Sequence, residues 1–428
     1  VTEWCERHLL ARIHRYTVKR LRREIEPVEP RDFMRFLFEW QRVAPGTRVS
    51  GPDALASVLA QLEGYEAPAS AWESEILPAR VDGYEIAWLD ALCQAGRVVW
   101  SRLRARKPGD GERGGGPVRA TPIVLLQRRN LDAWMAFDGI DADAGPSLSS
   151  RGQAVADHLR AQGASFFDEL LAATHLLHTE LEDALGELVA VGLINADSFG
   201  GLRALLVPSS KRPSTSRRHG RRRALFGIED AGRWSLVRRV VAVPSPVQRG
   251  KVPKADGGAL RKPDADAIEH VVHTLLRRYG VVCWRMLAHE ADWLPPWRDL
   301  LRVCHRLEAR GEIRGGRFVA GISGEQFALP DAIASLRSIR QRAPDQTWVC
   351  VCGADPLNLV GSLLAGDKVP RLVGSRVLYR DGIPVAKRVA GEIVMIESVD
   401  AAGEQAMRMK LLRGVERTTR TVAGGEEE

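Results

Sequence analysis

The sequence predicts an α+β fold: tandem winged-helix domains followed by a small C-terminal β-rich, barrel-like domain. The first observation behind this is a recurrence. WLDALCQAGRVVW (88–100), ALGELVAVGLINA (184–196) and VCHRLEARGEIRG (303–315) share one spacing of an apolar residue, a Leu, a Gly and a Val or Ile. The matched positions are Leu89/Leu92/Gly96/Val98, Leu185/Leu188/Gly192/Ile194 and Cys304/Leu307/Gly311/Ile313. Each copy reads as a helix end, a left-handed C-cap glycine and the start of a strand. The second observation is that helices precede the later copies. SFFDELLAATHLLHTELEDAL reads as helix, turn, helix, and AIEHVVHTLLRRYGVVCWRML as two helices split at Gly280. PPWRDLL then starts a third helix, because proline is tolerated in a first turn. The third observation is a change of pattern from Thr347 onward, where β-branched residues alternate with the turn signals Gly374, Asp381-Gly382 and Gly391.

Taken in order, residues 1–65 form a helical, winged-helix-like module. CERHLLARIHRYTVKRLRREI carries Leu9, Ile13, Tyr16 and Leu21 at roughly helical spacing, and PVEP ends it. DFMRFLFEWQ starts the next helix with Asp32 as its N-cap. Residues 66–150 form a winged helix whose Gly-rich stretch KPGDGERGGGP (107–117) is a wing tip or loop. Residues 151–208 form another, with SFGGLRALLVP as a Gly-turned wing. Residues 209–265 are a basic linker with strands. SSKRPSTSRRHGRRR (209–223) holds seven Lys or Arg in fifteen residues and almost nothing apolar, so it is either a phosphate-tracking arm or a plain linker. Residues 266–322 form the last winged helix, with EIRGGRFVAG as two strands turning at Gly315-Gly316. Residues 323–428 are the barrel-like domain.

Composition bounds the function. A chain of 428 residues has room for about three domains at ~150 residues each. The first residue is Val1 rather than Met, from which the chain is expected to start inside a longer protein. No apolar run is long enough for a membrane span and there is no signal-peptide pattern, so a cytoplasmic, nucleoid-associated location is expected. The six cysteines are scattered and read as reduced core thiols. Net charge is +8 and the pI about 9.4, weighted toward arginine, the side chain suited to bidentate phosphate contact. No G-x-x-x-x-G-K-[ST], G-x-S-x-G or H-E-x-x-H occurs, so no cofactor is expected in this chain.

The sites follow from that charge. A winged helix binds DNA with a recognition helix and a wing. On the last module this nominates Arg298, Arg302, Arg306, Arg314 and Arg317, and on the first Arg97, Arg102 and Arg104; Arg221 and Arg222 lie in the basic stretch. Trp293 and Trp297 are stacking wedges or core residues. In GADPLNLVG, Asp355 either assists glycosidic chemistry or makes an Asx turn capping PLNLVGSLL. In SGEQF, Glu325 and Gln326 either read a base or cap. Three functions are open: a DNA-binding accessory region, a base-excision enzyme, or an oligomerisation scaffold.

WCERHLLARIHRYTVKRLRREIEPVEPRDFMRFLFEWQ, WLDALCQAGRVVWSRL, TPIVLLQRRNLDAW, GRFVAGISGEQFALPDAI, ADPLNLVG and RVLYRDGIPVA resemble the C-terminal half of the large helicase-related protein, Lhr. The resemblance covers essentially the whole chain. It implies a bacterial superfamily 2 parent, an ATP-dependent 3′-to-5′ helicase acting on DNA or RNA:DNA hybrids in repair, with ATP and Mg used by a helicase core N-terminal to this region. It implies winged helices followed by a β-barrel, an arrangement similar to that of AlkZ-type DNA glycosylases. The Gln-x-Gln of those glycosylases is absent here, and ADPLN resembles their Ser-Pro-Phe-Asp-like turn with altered order. The resemblance also implies a uracil glycosylase activity with a catalytic aspartate, for which Asp355 and Asp381 are the candidates.

Overall fold

Gly96, Gly192 and Gly311 adopt φ values of +67°, +73° and +79°, and each ends a helix with the same two hydrogen bonds. The N–H after each glycine reaches back to the matched leucine: Arg97 to Leu92 O at 3.0 Å, Leu193 to Leu188 O at 2.9 Å and Glu312 to Leu307 O at 3.0 Å. The glycine N–H itself bonds to Cys93, Val189 or Glu308. This is a Schellman motif, which needs a left-handed residue that only glycine supplies cheaply. The three leucines and Val98, Ile194 and Ile313 beyond the turns are all buried. The repeated spacing is therefore a repeated way of turning a helix into a strand.

The computed structural model describes residues 6–23, 25–103, 118–137, 148–206, 228–230, 232–237 and 264–414. Along the chain run helices α1 (Arg7–Arg23) and α2 (Pro30–Trp40), strand β1 (Val49–Ser50), α3 (Pro52–Gln61), β2 (Ala67–Pro68) and the single turn α4 (Ala69–Ala71). Then come β3 (Val81–Asp82), α5 (Ile86–Gln94), β4 (Val98–Ser101), β5 (Pro122–Gln127) and α6 (Leu131–Met135). They are followed by α7 (Ser150–Gln162), α8 (Phe167–Thr174), α9 (His178–Ala190), β6 (Ile194–Ala196), α10 (Phe199–Leu206) and β7 (Trp234–Leu236). After them stand α11 (Ala265–Tyr279), β8 (Val281–Val282), α12 (Trp297–Ala309), β9 (Arg314–Gly316), β10 (Gln326–Ala328) and α13 (Pro330–Gln341). Strands β11 (Trp348–Cys352), β12 (Arg376–Arg380), β13 (Ile383–Val389) and β14 (Glu392–Met395) precede α14 (Ala401–Arg413).

These elements fall into two compact units. Of the described residues, the first gathers those within 6–49, 268–291 and 295–414, and the second those within 50–267 and 292–294. In the second unit, α3 and α5 pack with the sheet β2-β5-β4, giving one winged helix. Helices α7, α8 and α9 pack with the ribbon β6-β7. Within the expected wing SFGGLRALLVP, Phe199–Leu206 is instead helix α10, and residues 207–208 lie outside the described residues. Its residues Phe199, Leu202 and Arg203 are buried at helical spacing, and the Arg203 guanidinium is forked onto Glu73 and Asp90. A side chain held that way cannot stand in a solvent-facing hairpin.

In the first unit, α11, a 3₁₀ turn at Trp284–His289, α12 and the antiparallel sheet β8-β10-β9 make the other winged helix. The segment after Gly280 is thus a short strand and a 3₁₀ turn, not the second helix expected. Gly315 and Gly316 do not turn the wing either. Both lie within β9, paired with Phe327 and Gln326. Their lack of side chains serves close approach: a Cβ on Gly315 would fall 2.6 Å from Glu308 Oε1, and one on Gly316 2.3 Å from Ile25 Cδ1. The wing loop is closed by the buried Gln326, whose Oε1 accepts from Phe318 N at 2.9 Å and Val319 N at 2.8 Å.

Helix α2 begins at Pro30 with Glu29 as its N-cap, so Asp32 is a first-turn residue bonded to Arg35 at 3.2 Å rather than the cap. Leu9, Ile13 and Tyr16 of α1 are exposed, so that stripe faces solvent. The C-terminal sheet is an open antiparallel meander, β11-β12-β13-β14, and not a barrel. Four strands are too few to enclose a filled interior, and α14 supplies the covering layer instead, seating Met407 and Leu411 on Leu378, Val385 and Ala386. Among the described residues, no helix is long and apolar enough to cross a membrane.

Candidate nucleic-acid interface

Helix α12 buries Leu300, Val303, Cys304 and Leu307 and leaves Arg298, Arg302, His305, Arg306 and Arg310 exposed. The periodicity forces this division, because residues three and four apart share one face. Burial pushes the Cys304 thiol up to about 12, leaving it an inert core group. The outer face is neutralised only in part. Arg302 lies 3.1 Å from Asp299 and Arg298 3.5 Å from the same carboxylate, with both guanidinium side chains about three-quarters exposed. Arg306 and Arg310 reach Glu269 at 3.6 Å and 2.8 Å. Such exposed pairs are weak in water and exchange readily for a phosphate.

The wing adds cations of a different kind. Arg314 on β9 and Arg317 just after it are exposed, and neither has an ion pair among the described residues. Arg22 of α1, by contrast, is fully engaged by Glu308 and Glu325. Its Nε donates to Glu308 Oε1 at 2.9 Å, while Gly315 N donates to the same oxygen at 3.0 Å. Glu325 also meets His305 at 3.1 Å. Glu308 and Glu325 near the wing are thus engaged by Arg22, and Glu312 by Arg310 at 3.6 Å, while Arg314 and Arg317 have no ion pair among the described residues.

On the other winged helix, Arg97 is exposed and lies 3.9 Å from Asp53, and Arg102 is half-buried. Arg104, Arg221 and Arg222 lie outside the described residues, as do the stretches 107–117 and 209–223. Trp293 is only 8% exposed and packs edge-on against Trp134, with ring centroids 6.0 Å apart. It is a core residue and not a stacking wedge. Trp297, at the first position of α12, is half-buried. Sequence reasoning missed Trp284, which is 44% exposed and carries the Arg285 guanidinium 5.6 Å from its ring centre. The signal was the apolar run VVC before it: Val281 and Val282 form strand β8, Cys283 caps the 3₁₀ turn and Trp284 opens it.

The two candidate aspartates are both buried and both occupied. Asp355, 3% exposed, accepts from Leu357 N at 2.9 Å, an Asx turn with no helix behind it. Asp381 sits at φ +49° in the two-residue turn between β12 and β13, and its carboxylate accepts from the N–H groups of Asp345, Gln346 and Thr347 at 3.1–3.2 Å. It also borders a cavity of about 500 Å³ lined by Asp32, Arg35, Arg380, Ile383 and Glu397. Among the described residues, no group of three or more His, Cys, Asp or Glu is placed to hold a metal ion.

Residues 28–122 and 261–348 each match the winged-helix domain of the large helicase-related protein. The chain is similar to the Lhr helicase/probable uracil glycosylase of Mycolicibacterium smegmatis, at 30% identity over 382 residues and 85% of this chain. It is similar to the Lhr helicase/uracil glycosylase of Escherichia coli at 29% identity over 398 residues and 84% of this chain. It spans about a quarter of the length of either relative, 23% and 24%.

Proposed function

The chain belongs to the large helicase-related protein family, and from that premise we propose that it is the DNA-gripping, winged-helix region of a repair helicase. The observation that carries this is the wing: Arg314 and Arg317 are exposed cations with no ion pair among the described residues, beside the exposed arginines of α12. A duplex presents one negative charge per ~1.7 Å of axis, and arginines on a helix and its wing meet it by releasing condensed counterions. The parent's ATP-driven motor, with its Mg²⁺, belongs on this reading to another part of the same polypeptide. The test is binding of single-stranded DNA, duplex DNA and an RNA:DNA hybrid across a salt series, with ATP hydrolysis measured beside it. Affinity falling steeply with salt, without ATP turnover by this chain, supports the reading; affinity indifferent to salt defeats it.

A second reading, base excision, draws on the uracil glycosylase in both relatives' names and on the cavity beside Asp381. That cavity is large enough for a nucleobase and is bordered by three carboxylates, Asp32, Asp381 and Glu397. A glycosylase flips its base out of the stack and assists departure with a carboxylate. Alkali-labile sites in uracil-containing DNA, lost in Asp381→Asn or Asp355→Asn with the fold retained, support it. Their absence from the wild-type chain overturns it.

A further inference from the structure

Between α1 and the turn that joins α12 to β9 lies a cavity of about 250 Å³. Arg22, Arg310 and Arg314 bring positive charge to its lining against the carboxylate of Glu308, and Ile25 and Ile313 give it an aliphatic wall. The fold keeps this space open. Glycine stands at the Schellman turn, where a Cβ on Gly311 would meet nothing within 4 Å. Arg22 is a fixed strut and does not swing in to fill the space: its Nε donates to Glu308 at 2.9 Å and its Nη1 to Glu325 at 3.1 Å. Ile25, just beyond α1, is pressed onto Gly316 so closely that no Cβ fits between them.

The charges around the cavity are unequally committed. Glu308 is taken up by Arg22 and by the Gly315 N–H at 3.0 Å. Arg310 is shared between Glu269 at 2.8 Å and Glu312 at 3.6 Å, with its side chain about half exposed. Arg314 is exposed and has no ion pair among the described residues. A guanidinium without a counterion, beside a carboxylate already neutralised, calls for an anion, and its planar fork suits a phosphate. The aliphatic wall calls in addition for an apolar body attached to that anion. Ligand cavities run upward from roughly 300 Å³, so this one has room for a single small unit. A nucleotide combines these features. We propose that the cavity holds one unpaired nucleotide of a nucleic-acid strand, its phosphate on Arg314 and its sugar and base against Ile25 and Ile313. A paired nucleotide cannot enter, because its base is held in the stack. The proposal rests on the reading of this chain as nucleic-acid-binding. It adds a preference for single-stranded segments, which exposed arginines alone do not confer.

The test is binding of fluorescein-labelled oligothymidylate and of a labelled duplex by the full chain. Ala309 and Thr17 line the cavity from its two sides, and both are exposed. Ala309→Phe and Thr17→Phe therefore fill it without removing a charge. Each is expected to weaken oligothymidylate binding about tenfold, with duplex binding and the thermal midpoint unchanged. Neither should alter the slope of log affinity against log salt, whereas Arg314→Gln should lower it by roughly 0.7 on single strands. Oligoglutamate at matched ionic strength should displace the labelled strand only weakly. Displacement as strong as that by unlabelled oligothymidylate means that any polyanion suffices, and the proposal falls. Filled variants that bind oligothymidylate as the wild type does overturn this site, and weakened duplex binding by Arg314→Gln/Arg317→Gln in the same series leaves the wing reading standing. Equal losses on single strands and duplex also overturn it. Filled variants that lose single strands, beside an Arg314→Gln/Arg317→Gln variant with full duplex affinity, overturn the wing and leave this site. A wild-type chain that binds neither form overturns both.

Discussion

Arg22 and Glu308 lie side by side, the arginine Nε donating to the carboxylate Oε1 at 2.9 Å, and this pair clamps α1 onto the winged helix of the first unit. Glu308 is 11% exposed at its side chain and also accepts the Gly315 N–H. Removing it leaves Arg22 Nε and Nη2 and the Gly315 N–H without their acceptor, with only Arg22 Nη1 still held by Glu325. Glu308→Ala is therefore expected to cost about 1–3 kcal/mol in denaturant unfolding. A cost under a few tenths of a kcal/mol would show that the clamp is ornamental.

The same approach sets the tolerance of the wing strand. A methyl group on Gly316 would collide with Ile25 Cδ1, and one on Gly315 with the Arg22–Glu308 pair. Gly316→Ala is expected to destabilise by about 1–3 kcal/mol. Gly311→Ala, which meets no neighbour but sits at φ +79°, carries only the milder left-handed strain of about 1 kcal/mol. Equal costs at the two positions would contradict the packing account.

In the second unit, Arg203 is 9% exposed at its side chain and forked between Glu73 and Asp90, with Nε to Glu73 Oε2 at 2.7 Å and Nη1 to Asp90 Oδ2 at 3.0 Å. Burial works against its charge, and Glu73 and then Asp90 together outweigh that and raise its already high pKa. Arg203→Met strands two carboxylates and is expected to cost about 3–5 kcal/mol, whereas replacing all three residues with apolar ones of similar volume recovers most of it. Thermal unfolding of the single and triple variants checks both halves.

His289 gives the stability a pH dependence of definite sign. Its folded pKa, about 4, lies below the ordinary 6.5, so the unfolded chain binds the extra proton between these values. Its contribution is fully present above pH 6.5 and is lost as pH falls toward 4. Between pH 7 and pH 5 that loss is about 2 kcal/mol. Comparing wild type with His289→Gln at the two pH values isolates it; the same pH dependence in both would refute the assignment.

What the sequence made legible was local and repeated. Gly96, Gly192 and Gly311 could be placed because the Schellman turn couples a glycine to a leucine four residues earlier and a β-branched residue two later. The exposed arginines of α12 followed from the same periodicity. The two misplaced wing turns share a cause, in that glycine serves turns and close packing alike. Gly315-Gly316 looked like a hairpin turn because nothing local betrays that Ile25 and Arg22, nearly three hundred positions away, press on that strand. SFGGLRALL looked like a wing because its helix depends on Glu73 and Asp90 to receive Arg203. Trp293 stayed open between wedge and core, and Trp284 was missed, because burial of an indole is decided by distant partners, here Trp134 packed edge-on against Trp293. The barrel was expected from strand pattern alone, which does not specify whether a sheet closes or acquires a helix such as α14.

The most direct test of the central claim is the salt dependence of duplex binding by wild type and by Arg314→Gln/Arg317→Gln. If the wing grips phosphates, the slope of log affinity against log salt falls by roughly 0.9 for each arginine removed, uniformly across sequences, with the thermal midpoint unchanged. A double variant whose slope and affinity match the wild type would contradict it.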